Sequence, residues 1–463
     1  MFCSVDDSAA HEARRVVLVE SGGLKDWLDR AEPRARRWVE GSAFDASPGT
    51  HLVLPGGEGA PDAVLVGFDP DSSTWGPTWA LAALPGALPG GSWRLDGEYP
   101  GRTVELLAIG WALGHYRFDR YKAGKRPAAV LALPDETRRR VEIVRDALFR
   151  VRDLVNTPAA DLGPAELADV AAELAERNDA AFEAIEGSRL EREFPAIHAV
   201  GRASDRAPRL IRMEWGDPSH PSLALVGKGV VFDSGGLSIK PTSGMVLMKK
   251  DMGGAAHALG LAELVMRLNF PVHLHVYIPA VENAISGNAY RPSDIVKTRN
   301  GTTVEIGNTD AEGRVVLADA LTLAAEEGAG RIIDFATLTG AARVALGEDL
   351  PPLYARSLEQ ARTIQDLSFA LEDPLWHMPL YRPYKEQIQP KIADLSNTGT
   401  TGFGGSLTAA LFLDHFVPAG IDWMHLDIYA WNQNDRPGRP AGGEAQGLRA
   451  MLAWLEEEYG HRP

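Results

Sequence analysis

The chain has 463 residues, with 47 Lys and Arg against 63 Asp and Glu, one Cys, 12 His and a formal net charge of −16. At 45% hydrophobic and 24% charged residues, the composition is that of a globular protein and excludes disordered and membrane-spanning classes. The lone Cys3 excludes internal disulfides and thiolate metal clusters, and the acidic balance argues against nucleic-acid and anionic-membrane partners.

The first third of the chain alternates strand and helix patterns. Residues 1–7 have neither the basic nor the apolar segment of a secretory signal, so we expect a cytoplasmic protein. Short apolar runs, separated by segments of helical period such as 103–113, predict strands. These runs lie at 16–19, 51–54, 63–67 and 128–133. The alternation predicts a small α/β domain over residues 1–135 with a largely parallel sheet.

A long charged amphipathic segment comes next. Apolar residues recur at three- and four-residue steps from Val141 to Leu154, and the pattern stops at Asn-Thr-Pro, residues 156–158. This pattern predicts a connecting helix and linker over residues 136–160. The remaining residues, 161–463, then form a second and larger domain.

The second domain is rich in apolar strand patterns with helical segments between them. The predicted strands lie at 209–215, 223–227, 272–278, 331–335 and 423–428, and helices are predicted near 255–268 and 315–325. Such an order predicts an α/β/α domain with a mainly parallel central sheet. Ligands of such sheets bind beyond the carboxyl ends of the strands.

Charged residues embedded in glycine and apolar sequence follow one of these strands. Lys228, Asp233, Lys240 and Asp251 all lie between residues 227 and 256. Because a buried charge is costly unless it is paired or bound to a metal, these residues are candidates for a functional site.

A second carboxylate-bearing segment follows an apparent strand at 303–306. If the segment is extended, Asp310 and Glu312 point to one side, and two such carboxylates repel unless a proton or cation separates them. Together with Asp233 and Asp251 they would need a strongly positive partner, and hard divalent ions prefer oxygen ligands.

These segments resemble the leucyl aminopeptidase (cytosol aminopeptidase) family of dinuclear metallopeptidases. The family motif Asn-Thr-Asp-Ala-Glu-Gly-Arg stands whole at 308–314. Further matches, in family order, are Gly-Lys-Gly at 227–229, Phe-Asp-Ser-Gly-Gly at 232–236, Ser-Ile-Lys-Pro at 238–241 and Asp-Met-Gly-Gly-Ala-Ala at 251–256. Weaker similarity extends from residue 153 to residue 428, so the resemblance covers roughly the last two thirds of the chain.

The resemblance implies a role for each of these residues. The metal ligands would be Lys228, Asp233, Asp251, Asp310 and Glu312, with Asp233 and Glu312 bridging two ions. Lys240 and Arg314 would be the catalytic pair. The substrate-binding residues would be Met248, Asn308, Thr337, Leu338 and Gly340. The family fold further implies a macro-like N-terminal domain.

The same resemblance implies the reaction and its cofactors. We expect hydrolysis of the N-terminal peptide bond of peptides with a free N-terminus, with a water held between two ions as nucleophile. The ions would be Zn²⁺ or Mn²⁺, with Mg²⁺ as a further candidate, and Arg314 would hold a bicarbonate. Lys228 can ligate only as a neutral amine, so its pKa must be lowered by a neighbouring cation. The family also implies a homohexamer.

Other interpretations of the sequence stay open beside this one. Asp233-Ser234-Gly235-Gly236 is similar to the nucleophile segment of serine proteases, which implies a serine hydrolase using Ser234. A regulatory or DNA-binding protein on a peptidase scaffold is the other alternative, and the net charge argues against DNA. His273 and His275 alternate on a predicted strand and could be ligands, although hydrogen-bonded strand histidines are favoured.

Overall fold

The computed structural model describes residues 1–7, 12–57, 59–72, 75–124 and 126–460. They form two units, one of Met1–Phe149 with Gln433–Ala441, the other of Arg150–Asn432 with Gly442–Pro463. The sequence pattern did not indicate that residues 433–441 group with the first unit. The domain bounds 1–135, 136–160 and 161–463 stay a prediction.

Six strands form the sheet of the first unit, in the order β1-β6-β5-β2-β4-β3. They are β1 Phe2–Ser4, β2 Arg14–Glu20, β3 His51–Pro55, β4 Pro61–Phe68, β5 Gly91–Leu95 and β6 Ala129–Leu133. All neighbours pair in parallel except β3, which runs antiparallel to β4 at the edge. The helices that begin in this unit are Leu24–Arg30, Pro33–Glu40, Pro77–Ala80, Leu84–Ala87, Gly101–Gly114 and Asp135–Asn156.

The second unit is built on a nine-stranded sheet with the order β16-β15-β18-β14-β9-β11-β8-β7, in which β10 also pairs with β11. The strands are β7 Ala181–Glu186, β8 Arg209–Trp215, β9 Ser222–Gly227, β10 Gly229–Asp233, β11 His273–Asn283, β14 Arg331–Ala336, β15 Pro352–Ala355, β16 Trp376–His377 and β18 Asp422–Asp427. The central strands β18, β14, β9 and β11 run parallel, whereas β8 and β15 flank them antiparallel. The predicted α/β fold with a mainly parallel sheet is confirmed.

Smaller elements complete this unit. Three short strands, β12 Ile295–Lys297, β13 Thr303–Glu305 and β17 Leu395–Ser396, form a second sheet, and β19 Trp431–Asn432 pairs with β20 Gly442–Gly443. The α-helices are Pro164–Arg177, Gly187–Glu193, Pro195–Gly201, Thr242–Met245, Gly253–Arg267, Glu312–Glu326, Gly340–Leu346, Leu358–Ala370, Gly405–His415 and Leu448–Glu458, and two 3₁₀ helices span Met248–Met252 and Arg382–Ile388. No helix in the described ranges is long and apolar enough to cross a membrane.

Two differences from the sequence prediction affect the segments that carry site residues. Strand β11 continues to Asn283, five residues past the predicted end at 278, because Pro279 lies within it without breaking its pairing to β8. The segment 308–311 is a turn, with the Ala311 amide donating to the Asn308 carbonyl, and is not extended. Glu312 is therefore the first residue of a helix.

The helix Gly253–Arg267 packs directly on the ends of β9 and β14. A Cβ placed on Gly254 would lie 2.1 Å from the Phe335 carbonyl oxygen and 2.8 Å from the Lys228 amide nitrogen. The Lys228 carbonyl accepts a hydrogen bond from the Ala255 amide at 2.8 Å. Only glycine allows the helix to approach this closely, and the approach fixes the backbone that carries Lys228.

We expect Gly254→Ala to destabilise the protein, because the added methyl group meets backbone atoms that cannot yield. Overpacking of this kind costs about 1–3 kcal/mol, which outweighs the gain in helix propensity of about 1 kcal/mol. Differential scanning calorimetry should show a Tm lowered by a few degrees. Gly287→Ala is the control, since a Cβ there meets nothing within 4 Å. Equal Tm values for both variants would contradict the close packing.

Candidate active site

Polar residues gather at the carboxyl ends of the parallel strands. Lys228 follows β9, Asp233 ends β10, Asn283 ends β11, Thr337 follows β14 and Asp427 ends β18. Strands that run in one direction bring these ends to the same edge of the sheet. This is the edge at which the sequence predicts a ligand site.

Lys228 is the centre of a buried ionic cluster. Its side chain is 3% exposed, and Nζ lies 2.7 Å from Asp251 Oδ2 and 2.9 Å from Glu312 Oε1. Nζ also donates to the Thr337 carbonyl at 2.9 Å. Burial opposes the charged amine, but the carboxylates of Asp251 and Glu312 outweigh it and hold the pKa of Lys228 above its ordinary value. With only these side chains around it, Lys228 is protonated. The neutral amine that the sequence resemblance implies as a ligand therefore requires a cation that displaces the proton.

Lys240 joins two further carboxylates. Its Nζ lies 2.8 Å from Asp233 Oδ2 and also contacts Asp310 Oδ1. Asp233 is oriented from its other oxygen, because Oδ1 accepts from the Gly235 amide at 2.9 Å and from Asn283 Nδ2 at 2.8 Å. The carboxylate is thereby held with one oxygen facing Lys240.

The acidic side chains outnumber the lysines that neutralise them. Asp233, Asp310 and Glu312 each offer an oxygen within 4.8 Å of the others. Burial, reinforced by the charge of Asp233, raises the pKa of Glu312 to about 8 and that of Asp310 to about 6. The buried Glu312 Oε2 has no hydrogen-bond partner among the described residues. An unpartnered oxygen in an oxygen-rich pocket fits a hard divalent cation.

The turn before the helix Glu312–Glu326 is held by asparagine side chains. Asn308 Oδ1 accepts from the Asp310 amide at 2.8 Å. The buried Asn397 donates from Nδ2 to the Asn308 carbonyl at 2.7 Å and accepts at Oδ1 from the Gly307 amide at 2.8 Å. These bonds bring Asp310 beside Glu312 although the segment is not extended.

A glycine in the first turn of this helix makes room for the lysine. A Cβ on Gly313 would lie 2.6 Å from Lys228 Cε and 2.7 Å from Nζ. Any larger residue would displace the ammonium group from the carboxylates. This lack of space for a side chain explains why glycine stands between Glu312 and Arg314 in the motif.

Arg314 lies two residues after Glu312 and is 8% exposed. Its Nη1 donates to the Asn397 carbonyl at 2.8 Å, while its buried Nε has no hydrogen-bond partner. Burial lowers the pKa of Arg314 to about 10, which leaves it charged at neutral pH. An unpartnered cationic donor in this position fits an anion or an oxygen atom of a substrate.

The predicted substrate-binding residues lie on the same chain segments as residues of the cluster or follow them directly. Met248 begins the 3₁₀ helix that carries Asp251. Thr337 Oγ1 donates to Asp251 Oδ1 at 2.7 Å, and the Leu338 amide donates to Asp427 Oδ1 at 2.9 Å. Gly340 is the first residue of the helix after this segment.

Within the part of the chain that the structure describes, the Ser234 hydroxyl contacts no general base. The hydroxyl donates to the Asn283 carbonyl at 2.7 Å and accepts from the Gly236 amide. A serine nucleophile needs its hydroxyl hydrogen-bonded to a general base, and a peptide carbonyl is not one. Ser234 instead shapes the turn that follows Asp233.

Three residues of the site were not assigned by sequence reasoning: Asn283, Asn397 and Asp427. Asp427 accepts the amides of Leu338 and Thr339 at the end of β18, and Asn283 holds Asp233. A polar residue that ends an apolar strand pattern was the available signal for Asn283 and Asp427. Asn397 acts from a loop 89 residues after Asn308, and no local pattern marks it.

Most of the chain is similar to known proteins. Residues 149–452 match the family model "Cytosol aminopeptidase family, catalytic domain", and residues 16–134 match "M17 aminopeptidase, N-terminal domain". A probable cytosol aminopeptidase of Syntrophotalea carbinolica is 41% identical over 77% of this chain and 76% of its own length. A probable cytosol aminopeptidase of Rhodococcus opacus is 38% identical over 76% and 74%.

Solved structures agree with this. The crystal structure of the cytosol aminopeptidase from Coxiella burnetii has a TM-score of 0.94 and 46% identity, with 99% of each chain covered. The bottromycin maturation enzyme BotP in complex with Mn has a TM-score of 0.87 and 33% identity, covering 97% of this chain and 100% of that one.

Fold and site together define a mixed α/β protein with a carboxylate-lined pocket at the ends of its parallel strands, in which the donor atoms could hold a metal ion. The chain belongs to the cytosol aminopeptidase (M17) family. It is a metal-dependent aminopeptidase that acts on peptides, and its family binds divalent metals. The names of these relatives give no support to the alternative functions, a regulatory or DNA-binding protein or a serine hydrolase.

The buried Glu312 predicts a pH dependence of the metal-free protein. Its folded-state pKa of about 8 lies above the unfolded value near 4.5, so its contribution to stability is complete below about pH 4.5 and is lost as pH rises through 8. We expect the Tm in chelator to fall between about pH 5 and pH 9, and to fall less steeply in Glu312→Gln. The control is Glu191→Gln, an exposed residue. Equal slopes for the wild type and Glu312→Gln would count against the raised pKa.

Proposed function

We propose that this aminopeptidase is a dinuclear enzyme of the leucyl type. Asp233 and Glu312 would bridge two ions, Lys228 and Asp251 would complete one site, and Asp310 would complete the other. The observation that carries the proposal is the meeting of carboxylates from separate segments around an unpartnered buried oxygen, Glu312 Oε2. The raised pKa values of Glu312 and Asp310 support it, because both describe negative charge that lacks a counterion.

The proposed ligand atoms indicate which divalent ions the site would bind. Four carboxylates and one amine suit Mn²⁺, Mg²⁺ and Zn²⁺, and the similar BotP structure is a complex with Mn. We favour Zn²⁺ or Mn²⁺, with Mg²⁺ as the third candidate. When bound, such ions lower the pKa of a coordinated water and polarise the peptide carbonyl.

Two cationic side chains would then act on the substrate. Lys240 stays protonated, because Asp233 and Asp310 outweigh its burial and keep its pKa above the ordinary value. Its ammonium group can donate a hydrogen bond to the oxyanion that forms at the scissile carbonyl. Arg314 offers its unpartnered Nε to a bicarbonate or to the substrate.

The substrate would enter with its free N-terminus towards the carboxylates. Met248, Asn308, Thr337, Leu338 and Gly340 would lie beside this cluster and contact the N-terminal residue. The apolar Met248 and Leu338 suit an apolar side chain. We therefore propose a preference for peptides with an apolar N-terminal residue.

The location is proposed from the names of the relatives, and the assembly from the family resemblance of the sequence. The names of the relatives place them in the cytosol, and we propose a cytoplasmic location for this enzyme. We also propose a homohexamer. Sedimentation velocity would test the assembly, because a monomer of 50.0 kDa and a hexamer differ sixfold in mass.

The carboxylates that bridge or ligate the ions should be indispensable. We expect Asp310→Ala and Glu312→Ala to abolish metal-dependent hydrolysis of leucine p-nitroanilide, because each removes a ligand oxygen. Activity is measured on chelated protein reloaded with Zn²⁺, Mn²⁺ or Mg²⁺ in turn, with metal content determined in parallel. Glu191→Gln is the control, and full activity in both site variants would refute the proposal.

Lys240 should affect the rate more than substrate binding. We expect Lys240→Gln to lower kcat by about 10²–10³, the usual cost of removing one oxyanion donor, with little change in KM. Metal content must stay at the wild-type value, which separates this role from support of Asp233 and Asp310. Lys240→Arg keeps the charge and should retain more activity. A raised KM with unchanged kcat would assign Lys240 to substrate binding instead.

A further inference from the structure

A second group of potential metal ligands lies on the central sheet, away from the candidate active site. Glu214 on β8 pairs with His275 on the antiparallel strand β11, and His273 lies two residues before it on the same face. His273 begins the 11-residue strand that Asn283 ends beside Asp233. At about 3.3 Å per residue these ends are about 30 Å apart.

The two histidines form a continuous chain of contacts between two glutamates. His273 Nε2 lies 3.0 Å from Glu214 Oε1, and His273 Nδ1 lies 3.3 Å from His275 Nε2. At the far end, His275 Nδ1 lies 3.9 Å from Glu327 Oε2. The chain thus has a carboxylate at each end and two imidazole rings between them.

Neutral rings satisfy two of these contacts and leave the third without a proton. The contacts at 3.0 and 3.3 Å are of hydrogen-bond length, and two neutral imidazoles carry the two protons that they need. The third contact, at 3.9 Å, is too long for a hydrogen bond, so His275 Nδ1 is buried without a hydrogen-bond partner among the described residues. A cation in the cluster, either a third proton or a metal ion, would place a hydrogen on this nitrogen.

The surroundings favour a metal ion over a third proton. Burial, reinforced by the neighbouring His273, lowers the pKa of His275, and the neutral ring is the form that binds metals. Arg212 lies 3.1 Å from Glu214 Oε2 and 3.0 Å from Glu327 Oε2, and it offsets one of the two negative charges. With neutral histidines the cluster keeps a net charge of about −1, which attracts a divalent ion.

A metal ion where the two rings meet would resolve every contact. Ligand atoms around one tetrahedral Zn²⁺ lie about 3.3 Å apart, which is the separation of His273 Nδ1 and His275 Nε2. The opposite ring nitrogens would then both carry hydrogens, one facing Glu214 and the other Glu327. Metal-bound histidines commonly donate their second N–H to a carboxylate in this way.

We propose that His273 and His275 bind a transition-metal ion such as Zn²⁺, Ni²⁺ or Cu²⁺ at a peripheral site, with Glu214 and Glu327 accepting their outer N–H groups. Glu214, His273 and His275 lie close together, since each offers an atom within 4.8 Å of the others. The side chains of Glu214 and His273 are 35% and 15% exposed, so an ion can enter from solvent. Imidazole ligands separate this site from the oxygen-rich active site. The bound ion would tie strand β8 to strand β11.

Metal analysis of the full chain tests the site without relying on activity. After chelation and reloading with Zn²⁺, the wild type should retain one equivalent more than the double variant His273→Gln/His275→Gln. His220→Gln, an exposed histidine outside the cluster, should retain the wild-type number. Equal Zn²⁺ content in the wild type and the double variant overturns the proposal.

Pulsed EPR of the Cu²⁺-loaded protein identifies the ligands. The remote nitrogen of a bound imidazole modulates the electron spin echo, and the carboxylate and lysine groups of the active site have no such nitrogen. We expect this modulation in the wild type and its loss in the double variant. Its persistence there would show adventitious binding at other histidines and refute the site.

A third variant guards against misfolding of the buried His275. Glu214→Gln keeps the shape of a half-exposed side chain while removing the carboxylate charge that faces His273 Nε2, and we expect it to weaken Zn²⁺ binding at least tenfold. The circular dichroism spectrum must match that of the wild type. Unchanged Zn²⁺ affinity in a folded Glu214→Gln protein would contradict the proposed arrangement, in which Glu214 accepts the second N–H of a metal-bound His273.

Discussion

The buried carboxylates at the ends of the parallel strands repel one another, and the rest of the active site depends on how their negative charge is compensated. Asp233, Asp251 and Glu312 are each no more than 3% exposed. Buried negative charges of this number are tolerated only with compensating cations. Lys228 and Lys240 supply part of that charge, and an oxygen of Glu312 still lacks a partner. The carboxylate charge that remains uncompensated therefore attracts a further cation to the pocket.

Close backbone packing makes this arrangement possible. The helix at Gly253 lies against the ends of β9 and β14 because Gly254 has no side chain, and Lys228 reaches Glu312 because Gly313 has none. Asparagine side chains replace regular secondary structure where the segments meet, since Asn283 and Asn397 bond both to backbone and to site residues. The sheet brings the strand ends together, and the glycine approaches and asparagine hydrogen bonds set the distances between the site residues.

Much of this could be predicted from the sequence, for physical reasons that are local. Buried parallel strands have nearly continuous apolar sequences, so the ends of β9 and β14 can be predicted to within one residue. Lys228 and Asp233 are recognisable as site candidates because they are charged residues at the ends of such apolar runs. The turn at 308–311 was not predicted, because it depends on Asn397, which is distant in sequence. The pairing of β8 with β11 likewise could not be predicted, so the meeting of Glu214 with His275 had no sequence signal. Long-range pairing, rather than local propensity, accounts for what was missed.

A lysine suits the centre of the cluster for a reason that concerns folding as well as metal binding. A neutral histidine at position 228 would leave Asp251 and Glu312 facing each other without a counterion, whereas the Lys228 ammonium group lies within 2.9 Å of both. The same amine becomes a ligand once a divalent ion displaces its proton, because the ion then supplies the positive charge that the carboxylates require. Proton and metal thus compete for one set of groups, and the protonated form leaves part of the carboxylate charge without a counterion. The folded chain can therefore exist before metal binds, although its carboxylates favour the metal.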